Sequence, residues 1–546
     1  MKDTSVLKWI YRNCGKRNKE TVALIVLNSW SALCVTLFAM LSKTVMDNAQ
    51  NGEKDALLKN VLLLLVLILS QMVARVLSSL VEAISQGRAE IDLKSAIFSS
   101  IIMGEYAESV ERHSGDLMSR LTADVQMVSE NYVHILPATV AYLVRIFTAA
   151  IALYSLDKNF AVIFIFCGLL FVLVAALSRK HLKTLHRRVQ EKDSKVRSFM
   201  QEMLENLFAV KVFGIEEKVI RISLKQQKKF YHEKVKKKSF SILAGIGFSL
   251  AFAVGFLAAV AYGSFGILNG AMTFGTVVAI IQLVNQLQSP AVGITSVIPT
   301  FFGMITSAQR LIEISGSKET DIELADVSYE DFVKLRMEKA VFGYGEEKVI
   351  TDANFTVNKG EFIGIKGPSG SGKSTIFKLL TGLYPTDGGR VVVETEDDEL
   401  DCKYTKRLFS FVPQGNMLFS GTVRENVTML SPKATDEEIE QALKIASAEF
   451  AYELEGGLDF VLGEAGAGIS QGQAQRLAIA RALLGEGKIL LMDESTSALD
   501  NETEKAVVDN LKSIEDLTVL FITHRETVLE QCDRTITASD GKIWEN

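Results

Sequence analysis

Cysteine is scarce in this sequence: five residues in 546, at Cys14, Cys34, Cys167, Cys402 and Cys532. No two of them form a Cys-x-x-Cys pair. The spacing therefore supports neither a zinc ribbon nor a disulfide framework, and reduced packing cysteines are expected. A basic excess is missing too. The 59 Lys and Arg are outnumbered by 65 Asp and Glu, a net charge of −6. That gives no global field to hold nucleic acid, and none is expected as a partner. The N-terminus is not read as a secretory signal peptide, because its apolar stretch is too long and lacks a small-residue cleavage site. What the chain has in plenty is apolar residues: 48% are hydrophobic although 23% are charged. They are concentrated in the first three-fifths of a chain long enough for three or four average domains.

Six long apolar stretches lie near 21–45, 58–84, 132–156, 159–178, 240–268 and 274–306. Each supplies the ~20 residues a membrane helix needs. Buried helices of soluble proteins rarely run so long with so few charges on any face. Before them, Val6-Leu-Lys-Trp-Ile-Tyr-Arg12 interleaves aromatics and cations, which suits a short helix in the membrane interface. Lys8, Arg12, Lys16, Arg17 and Lys19 precede the first span, and the loop after the fourth opens with Arg179-Lys-His-Leu-Lys183 and closes with Lys234-Val-Lys-Lys-Lys238. The first connection, Asp47 to Asp55, is acidic, and the third, Asp157-Lys-Asn159, is very short. By the positive-inside rule both termini are cytoplasmic, as are the segments between spans two and three and between four and five. Those segments read as helix, so the membrane helices are expected to continue as cytoplasmic stalks. At their far ends, Tyr106–Arg112 and Leu207–Phe213 carry apolar residues that would be exposed unless something docks there. The expected division is a transmembrane domain over 1–315, a linker over 316–334 and a second domain over 335–546.

The second domain changes to short β-like runs, glycine turns and amphipathic helices, an α/β pattern with a mainly parallel sheet. Its first chemical feature is Gly367-Pro-Ser-Gly-Ser-Gly-Lys-Ser374. This fits the phosphate-loop pattern between an apolar strand, Glu361–Lys366, and a helical run, Ser374–Leu380. Backbone N–H groups of such a turn form an anion nest. Gly370 and Gly372 let the main chain approach phosphates, Lys373 would reach the β- and γ-phosphates, and Ser374 would place its hydroxyl on Mg²⁺. Other positions stay open on their own. Tyr344 admits stacking on adenine or plain packing. Gln414, after the strand-like run Leu408–Pro413, admits a Mg²⁺ or water contact. Ser470 and Gly472 open a second helix suited to anions, or simply cap it. His524 ends the strand Val519–Thr523 and admits a γ-phosphate contact or an ordinary loop role. Asp493 and Glu494 end the buried strand Ile489–Met492; the first would hold Mg²⁺ and the second would polarise the attacking water.

Taken together in this order, the motifs resemble those of an ABC transporter of the exporter type, a half-transporter with a six-helix membrane domain fused to an ATP-binding cassette. Gly367–Ser374 is similar to the Walker A loop, with Gly367, Ser369, Gly370, Ser371, Gly372, Lys373, Ser374 and Thr375 at the nucleotide. Tyr344 is similar to the adenine-stacking aromatic, Gln414 to the Q-loop, and Ile469-Ser470-Gln471-Gly472-Gln473 to the signature sequence. Ile489–Glu494 resembles Walker B, Ser497-Ala-Leu-Asp500 the D-loop, and His524 the switch histidine. Val461–Gly466 is similar to a segment that contacts the stalks, and His113–Asp124 and Phe208–Glu217 resemble the segments at the two coupling helices. One departure is visible: Gln471 stands where the commonest signature has glycine. Activity is still expected, because Ser470, Gly472, Glu494 and His524 are present. The resemblance implies an all-α six-helix transmembrane domain with long stalks followed by an α/β P-loop ATPase domain. It implies ATP and Mg²⁺ as cofactors, with Ser374, Gln414 and Asp493 at the metal. It implies a second copy or a homologous half-transporter as partner, closing head to tail over two ATP molecules, in the lipid bilayer of a bacterial cytoplasmic membrane. Hydrolysis by Glu494, with His524 and Gln414, would drive export of a peptide, lipid or hydrophobic drug. No peptidase domain precedes the membrane half, so a peptide cargo would need its leader removed elsewhere. The competing reading is a soluble-type ABC ATPase, or an ATP-gated regulator without transport.

Two features address the substrate pathway. Gln282, Asn285, Gln286, Ser289 and Ser296 recur at helical spacing in the sixth span and would form one polar stripe. Arg145 sits near the middle of the third span, where a lipid-facing cation costs from ~3 to more than 10 kcal/mol. It is expected to face either a cavity, where it would attract an anionic group, or a partner such as Glu82. Arg75, nearer the end of its span, is the weaker candidate.

Overall fold

The computed structural model describes residues 3–107, 114–315, 325–345, 347–415 and 417–545; some side chains within these ranges, chiefly 165–183, lie outside the description. The chain forms two compact units, one of Met1–Ser100 with Ser114–Gly316, the other of Ile101–His113 with Ser317–Asn546.

The first unit is helical. It runs α1 (Asp3–Asn13), α2 (Asn18–Asn51), α3 (Lys54–Met103), α4 (Ser114–Ser119), a π-helical turn (Arg120–Asp124), α5 (Val125–Leu156), α6 (Lys158–Glu205), α7 (Leu207–Val212), α8 (Glu216–Leu268), α9 (Phe274–Gln286) and α10 (Gln288–Ser315). Local chemistry sets the ends. Gly52, in the left-handed region, closes α2. Asp157 caps α6 by accepting from the Phe160 N–H at 2.7 Å, and Thr273 caps α9 by accepting from Thr276 at 3.2 Å. Small residues let the helices approach closely: Ala39, Ala149, Ala152 and Ala259 are buried with Leu153, Ile280 and Leu283.

Among the described residues, five helical stretches are long and apolar enough to cross a membrane: 18–51, 54–103, 115–156, 216–268 and 274–315. They contain five of the six expected spans. The fourth, 159–178, falls in α6, where most side chains lie outside the described residues. With 53 residues, α8 is about 80 Å long at 1.5 Å per residue, far more than the ~30 Å hydrocarbon core. The helices thus extend well past the apolar spans, as expected of stalks. The sixth span lies within one helical stretch, 274–315, with a local irregularity at Leu287 between α9 and α10, where the backbone stays right-handed helical at φ −77° and ψ −16°. Pro290 has no N–H to bond the Gln286 carbonyl, which removes a rung of the ladder there. On the N-terminal helix Leu7 and Tyr11 are each 39% exposed, whereas a second apolar pair is buried. Val6 and Ile10 are 0% and 1% exposed, and α1 packs on α10.

The second unit holds a ten-stranded sheet in the order β5-β4-β1-β2-β12-β11-β3-β10-β9-β6. These strands are β1 (Phe332–Tyr344), β2 (Glu347–Asn358), β3 (Phe362–Lys366), β4 (Gly388–Thr395), β5 (Glu399–Asp401), β6 (Phe409–Val412), β9 (Ile489–Asp493), β10 (Thr518–Ile522), β11 (Arg534–Ser539) and β12 (Lys542–Glu545). β7 (Gly421–Thr422) pairs separately with β8 (Val461–Leu462). The helices are α11 (Lys373–Leu380), α12 (Val423–Val427), α13 (Asp436–Ile445), α14 (Gln471–Leu483), α15 (Asn501–Lys512) and α16 (Glu526–Leu529). Strands β3, β10, β9 and β6 run parallel. Every residue of β9 and β10 is buried, because both faces of this part of the sheet are covered, which is why these strands read as unbroken apolar runs. Their carboxyl ends lie on one edge, where ligands bind in open α/β sheets. The domain core also begins before the expected Leu335. Tyr329 and Phe332 are 6% and 1% exposed, and the Tyr329 hydroxyl lies 2.7 Å from that of Thr518. Residues 316–324 of the expected linker lie outside the described residues.

Candidate nucleotide site

The turn after β3 is built on glycine. At Gly367, φ is 157° and a Cβ would lie 2.0 Å from the Ala538 carbonyl oxygen, so no other residue fits. Gly372 stands before α11 with φ 92°. Lys373, 6% exposed, folds back to donate to the carbonyls of Gly367 at 2.8 Å and Pro368 at 2.9 Å. Burial lowers the pKa of this ammonium, against the pull of Glu494 and Asp493. The Ser371 hydroxyl is buried without a partner.

Three neighbouring strand ends converge on the carboxylates. Asp493 closes β9 and is 5% exposed. Burial raises its pKa; the Ser374 hydroxyl hydrogen-bonds it and opposes that shift, while Glu494 adds to it. One Asp493 oxygen, Oδ1, is buried with no partner. Glu494 follows at φ 45°, in the left-handed region that costs a non-glycine residue about 1–3 kcal/mol. Its N–H donates to the Ile522 carbonyl at 2.9 Å, which ties the strained residue to the end of β10. Beyond β6, Gln414 donates through Nε2 to Glu494 Oε2 at 2.6 Å. Beyond β10, His524 Nε2 stands 3.6 Å from Glu494 Oε1. One carboxylate is therefore hydrogen-bonded by Gln414 and faced by the His524 ring, residues far apart in sequence.

Tyr344, at the end of β1, is 42% exposed. Phe342 and Tyr384 pack their edges against it at 5.0 and 5.6 Å, and its hydroxyl is 3.4 Å from that of Thr375. Tyr384 also meets Tyr106 edge to face at 5.6 Å, and Ala107 packs against the same core. Tyr106 still remains 40% exposed, and in α7 Phe208 is 82% exposed while Val210 is buried. Residues 108–113 lie outside the described residues.

Ser470 and Gln473 form a reciprocal capping box on α14. The Ser470 hydroxyl accepts from the Gln473 N–H at 3.2 Å, and the Ser470 N–H donates to Gln473 Oε1 at 2.8 Å. Glycine at 472 has a packing reason, since a Cβ there would lie 2.9 Å from the Ala498 carbonyl oxygen. Gln471 is exposed. Asp500 caps α15, accepting from the Thr503 N–H at 2.9 Å; that bond lowers its pKa. Among the described residues, no hydrogen bond or ion pair joins Ser470–Gln473 to Gly367–Thr375.

Sequence reasoning missed two positioning residues. Gln475, 1% exposed, donates to the Ser497 hydroxyl at 3.3 Å and accepts from the Ala498 N–H at 3.1 Å. Arg525 donates to the Ser497 and Leu499 carbonyls at 2.9 Å and pairs with the buried Glu504 at 3.2 Å. Their signals were a glutamine on the apolar face of α14 and an arginine directly after His524.

In the membrane unit the residues of the expected stripe have different surroundings. Gln286 donates to the Val35 carbonyl at 2.9 Å, Ser296 bonds Gly293 of its own helix at 2.7 Å, and Gln282 Oε1 is buried without a partner. Asn285 and Ser289 are exposed. Arg145 does not pair with Glu82, which hydrogen-bonds His134 instead.

A glycine cradle, two buried oxygens without partners and an ammonium at the head of α11 suit a polyphosphate with a divalent cation. Comparison with known proteins agrees. The ABC transporter transmembrane region family matches residues 21–291, and the ABC transporter family matches 350–497. A putative export ATP-binding/permease protein of Rickettsia bellii is 25% identical over 99% of this chain and 95% of its own length. ABC transporter B family member 1 of Dictyostelium discoideum is 28% identical over 83% of this chain, which spans 51% of that longer protein. In fold, the chain is similar to the ATP-bound structure of a bacterial Atm1-family ABC exporter, with a TM-score of 0.81, 22% identity, and coverage of 97% of this chain and 94% of the other. With a transmembrane region and an ATPase region in one polypeptide, the chain belongs to the ABC transporters, as a multi-pass, exporter-type half-transporter that couples ATP hydrolysis to export.

Proposed function

We propose that the site around Glu494 hydrolyses Mg²⁺-ATP at the interface of two such chains, and that closure of this interface drives export. The observation that carries this reading is the pair of contacts on Glu494, Gln414 on one oxygen and His524 near the other. Tyr344 stacks the adenine, Gly367–Thr375 hold the phosphates, and Lys373 turns from its own carbonyls to the γ-phosphate. Ser374, Asp493 and Gln414 hold Mg²⁺, which when bound neutralises charge on the β- and γ-phosphates. Glu494 orients the attacking water and accepts its proton; Gln414 and His524 fix the carboxylate in the orientation that allows this. Ser470, with Gln471, Gly472 and Gln473, addresses the ATP of the partner chain, and Asp500 lies beside that contact.

The membrane half occupies 1–315 and is joined to the ATPase half by a linker that ends before Tyr329, which belongs to the ATPase core. The Lys and Arg distribution supports cytoplasmic termini, and the exposed apolar face of α7 supports docking on a partner ATPase domain. A peptide, lipid or hydrophobic drug is the cargo class. The test is Glu494→Gln in the purified full chain. ATP turnover falls about 10²–10⁴-fold, the usual contribution of a positioned general base, while ATP still binds. Turnover near wild type would overturn the assignment.

A further inference from the structure

The membrane unit contains a cavity of about 300 Å³ between α2, α3 and α5, room for about ten waters or one polar head group. Two cations and one carboxylate line it: Arg75 and Glu82 from α3, and Arg145 from α5. His134 and Tyr142 of α5 also face it, and α2 contributes only uncharged groups such as Asn28. The carboxylate is already engaged, with Glu82 Oε1 2.8 Å from His134 Nδ1. Asn28 is engaged as well, accepting from the Ser78 hydroxyl at 2.7 Å. Among the described residues neither arginine forms an ion pair, and Arg145 Nε is buried with no hydrogen-bond partner. A guanidinium inside a membrane span normally pairs with protein or marks a ligand path. Here the one nearby protein partner is diverted to histidine. The planar fork of arginine matches phosphate and carboxylate oxygens, and Leu24, Val35 and Pro137 give the same cavity an apolar wall.

We propose that this cavity is an anion subsite in which Arg75 and Arg145 together hold a phosphate or carboxylate head, with the apolar wall taking an attached chain. That the subsite lies on the export path rests on the transport reading above; anion binding itself does not. His134 has a positioning role, keeping Glu82 away from the arginines.

The test is calorimetric titration of the full chain in phosphatidylcholine nanodiscs, without ATP, using hexyl phosphate, hexanol and inorganic phosphate. Hexyl phosphate binds the wild type, and Arg145→Gln or Arg75→Gln weakens it at least tenfold without the same effect on hexanol. His134→Ala also weakens it, because Glu82 then pairs with an arginine, and adding Glu82→Gln restores binding. A purely structural role for His134 would not give that rescue. Should Arg145→Gln fail to fold, Arg75→Gln and the His134/Glu82 pair of variants carry the same test. Inorganic phosphate matching hexyl phosphate assigns the site to a free anion; a requirement for the alkyl chain assigns it to an amphiphile. Failure of the wild type to bind hexyl phosphate, wild-type affinity in both arginine variants, or equal loss for hexanol would overturn the proposal. Because no turnover is measured, each of these results leaves the ATPase assignment standing or falling on its own experiment.

Discussion

Asp493 and Glu494 are adjacent carboxylates with different environments. Glu494 accepts from Gln414 and sits in a strained backbone conformation, whereas Asp493 is nine-tenths enclosed, with one oxygen unpartnered. The strain at Glu494 is held by the Ile522 bond and aims the side chain between β6 and β10. For Asp493, burial raises the folded-state pKa above the ~3.9 of an unfolded aspartate. The folded state then holds the proton more tightly than the unfolded state does. Above the raised pKa the buried charge opposes folding, and the opposition is relieved as pH falls through that pKa. Removing the charge at neutral pH therefore stabilises the nucleotide-free protein. Asp493→Asn is expected to raise its melting temperature by a few degrees, on the order of 1 kcal/mol, while Mg²⁺-dependent ATP turnover falls at least a hundredfold. A lower melting temperature would mean that the Ser374 hydrogen bond to the carboxylate outweighs the cost of burying its charge.

Between strand ends and helices, the loop from Ser495 to Asp500 is an element in its own right. It is held by Gln475 from α14 and by Arg525 from the turn after β10. Replacing Gln475 with alanine leaves the Ala498 N–H without its acceptor, a loss of about 1–3 kcal/mol for a buried group. The loop carries Asp500, and Ala498 packs on Gly472. Gln475→Ala is thus expected to lower turnover about tenfold with little change in ATP affinity, measured by turnover and by equilibrium nucleotide binding. A matching loss of affinity would place the effect in the phosphate loop instead. The same elements show what the sequence makes legible. The phosphate turn was readable because its strand, glycines and helix are contiguous, and the spans because a bilayer demands long apolar runs. Contacts made across the fold were not. The reason for Gly472 lies at Ala498, the partner of Glu82 is a histidine on another helix, and Tyr329 belongs to the core because Thr518 meets it.

At the scale of the whole molecule, one chain carries one phosphate loop and one Ser470 helix, and no hydrogen bond or ion pair among the described residues connects them. The helix N-terminus satisfies one of its own N–H groups through the capping box, and its remaining dipole suits a phosphate brought by another chain. A two-fold dimer solves this twice, because each surface meets the other's complement. That arrangement makes a prediction that a self-contained site does not. In a dimer of one Lys373→Ala chain and one Ser470→Ala chain, one composite site carries both substitutions and the other carries neither. Each parent dimer has two defective sites. Co-expressed chains with different affinity tags, purified through both tags, are expected to occlude one ATP per mixed dimer in a Glu494→Gln background, and each parent dimer none. If both sites were built within single chains, every site in the mixture would carry one defect and no occlusion would be recovered. Nucleotide counting on the doubly purified sample separates the two, and the absence of occlusion in mixed dimers of normal melting temperature would rule out the shared site.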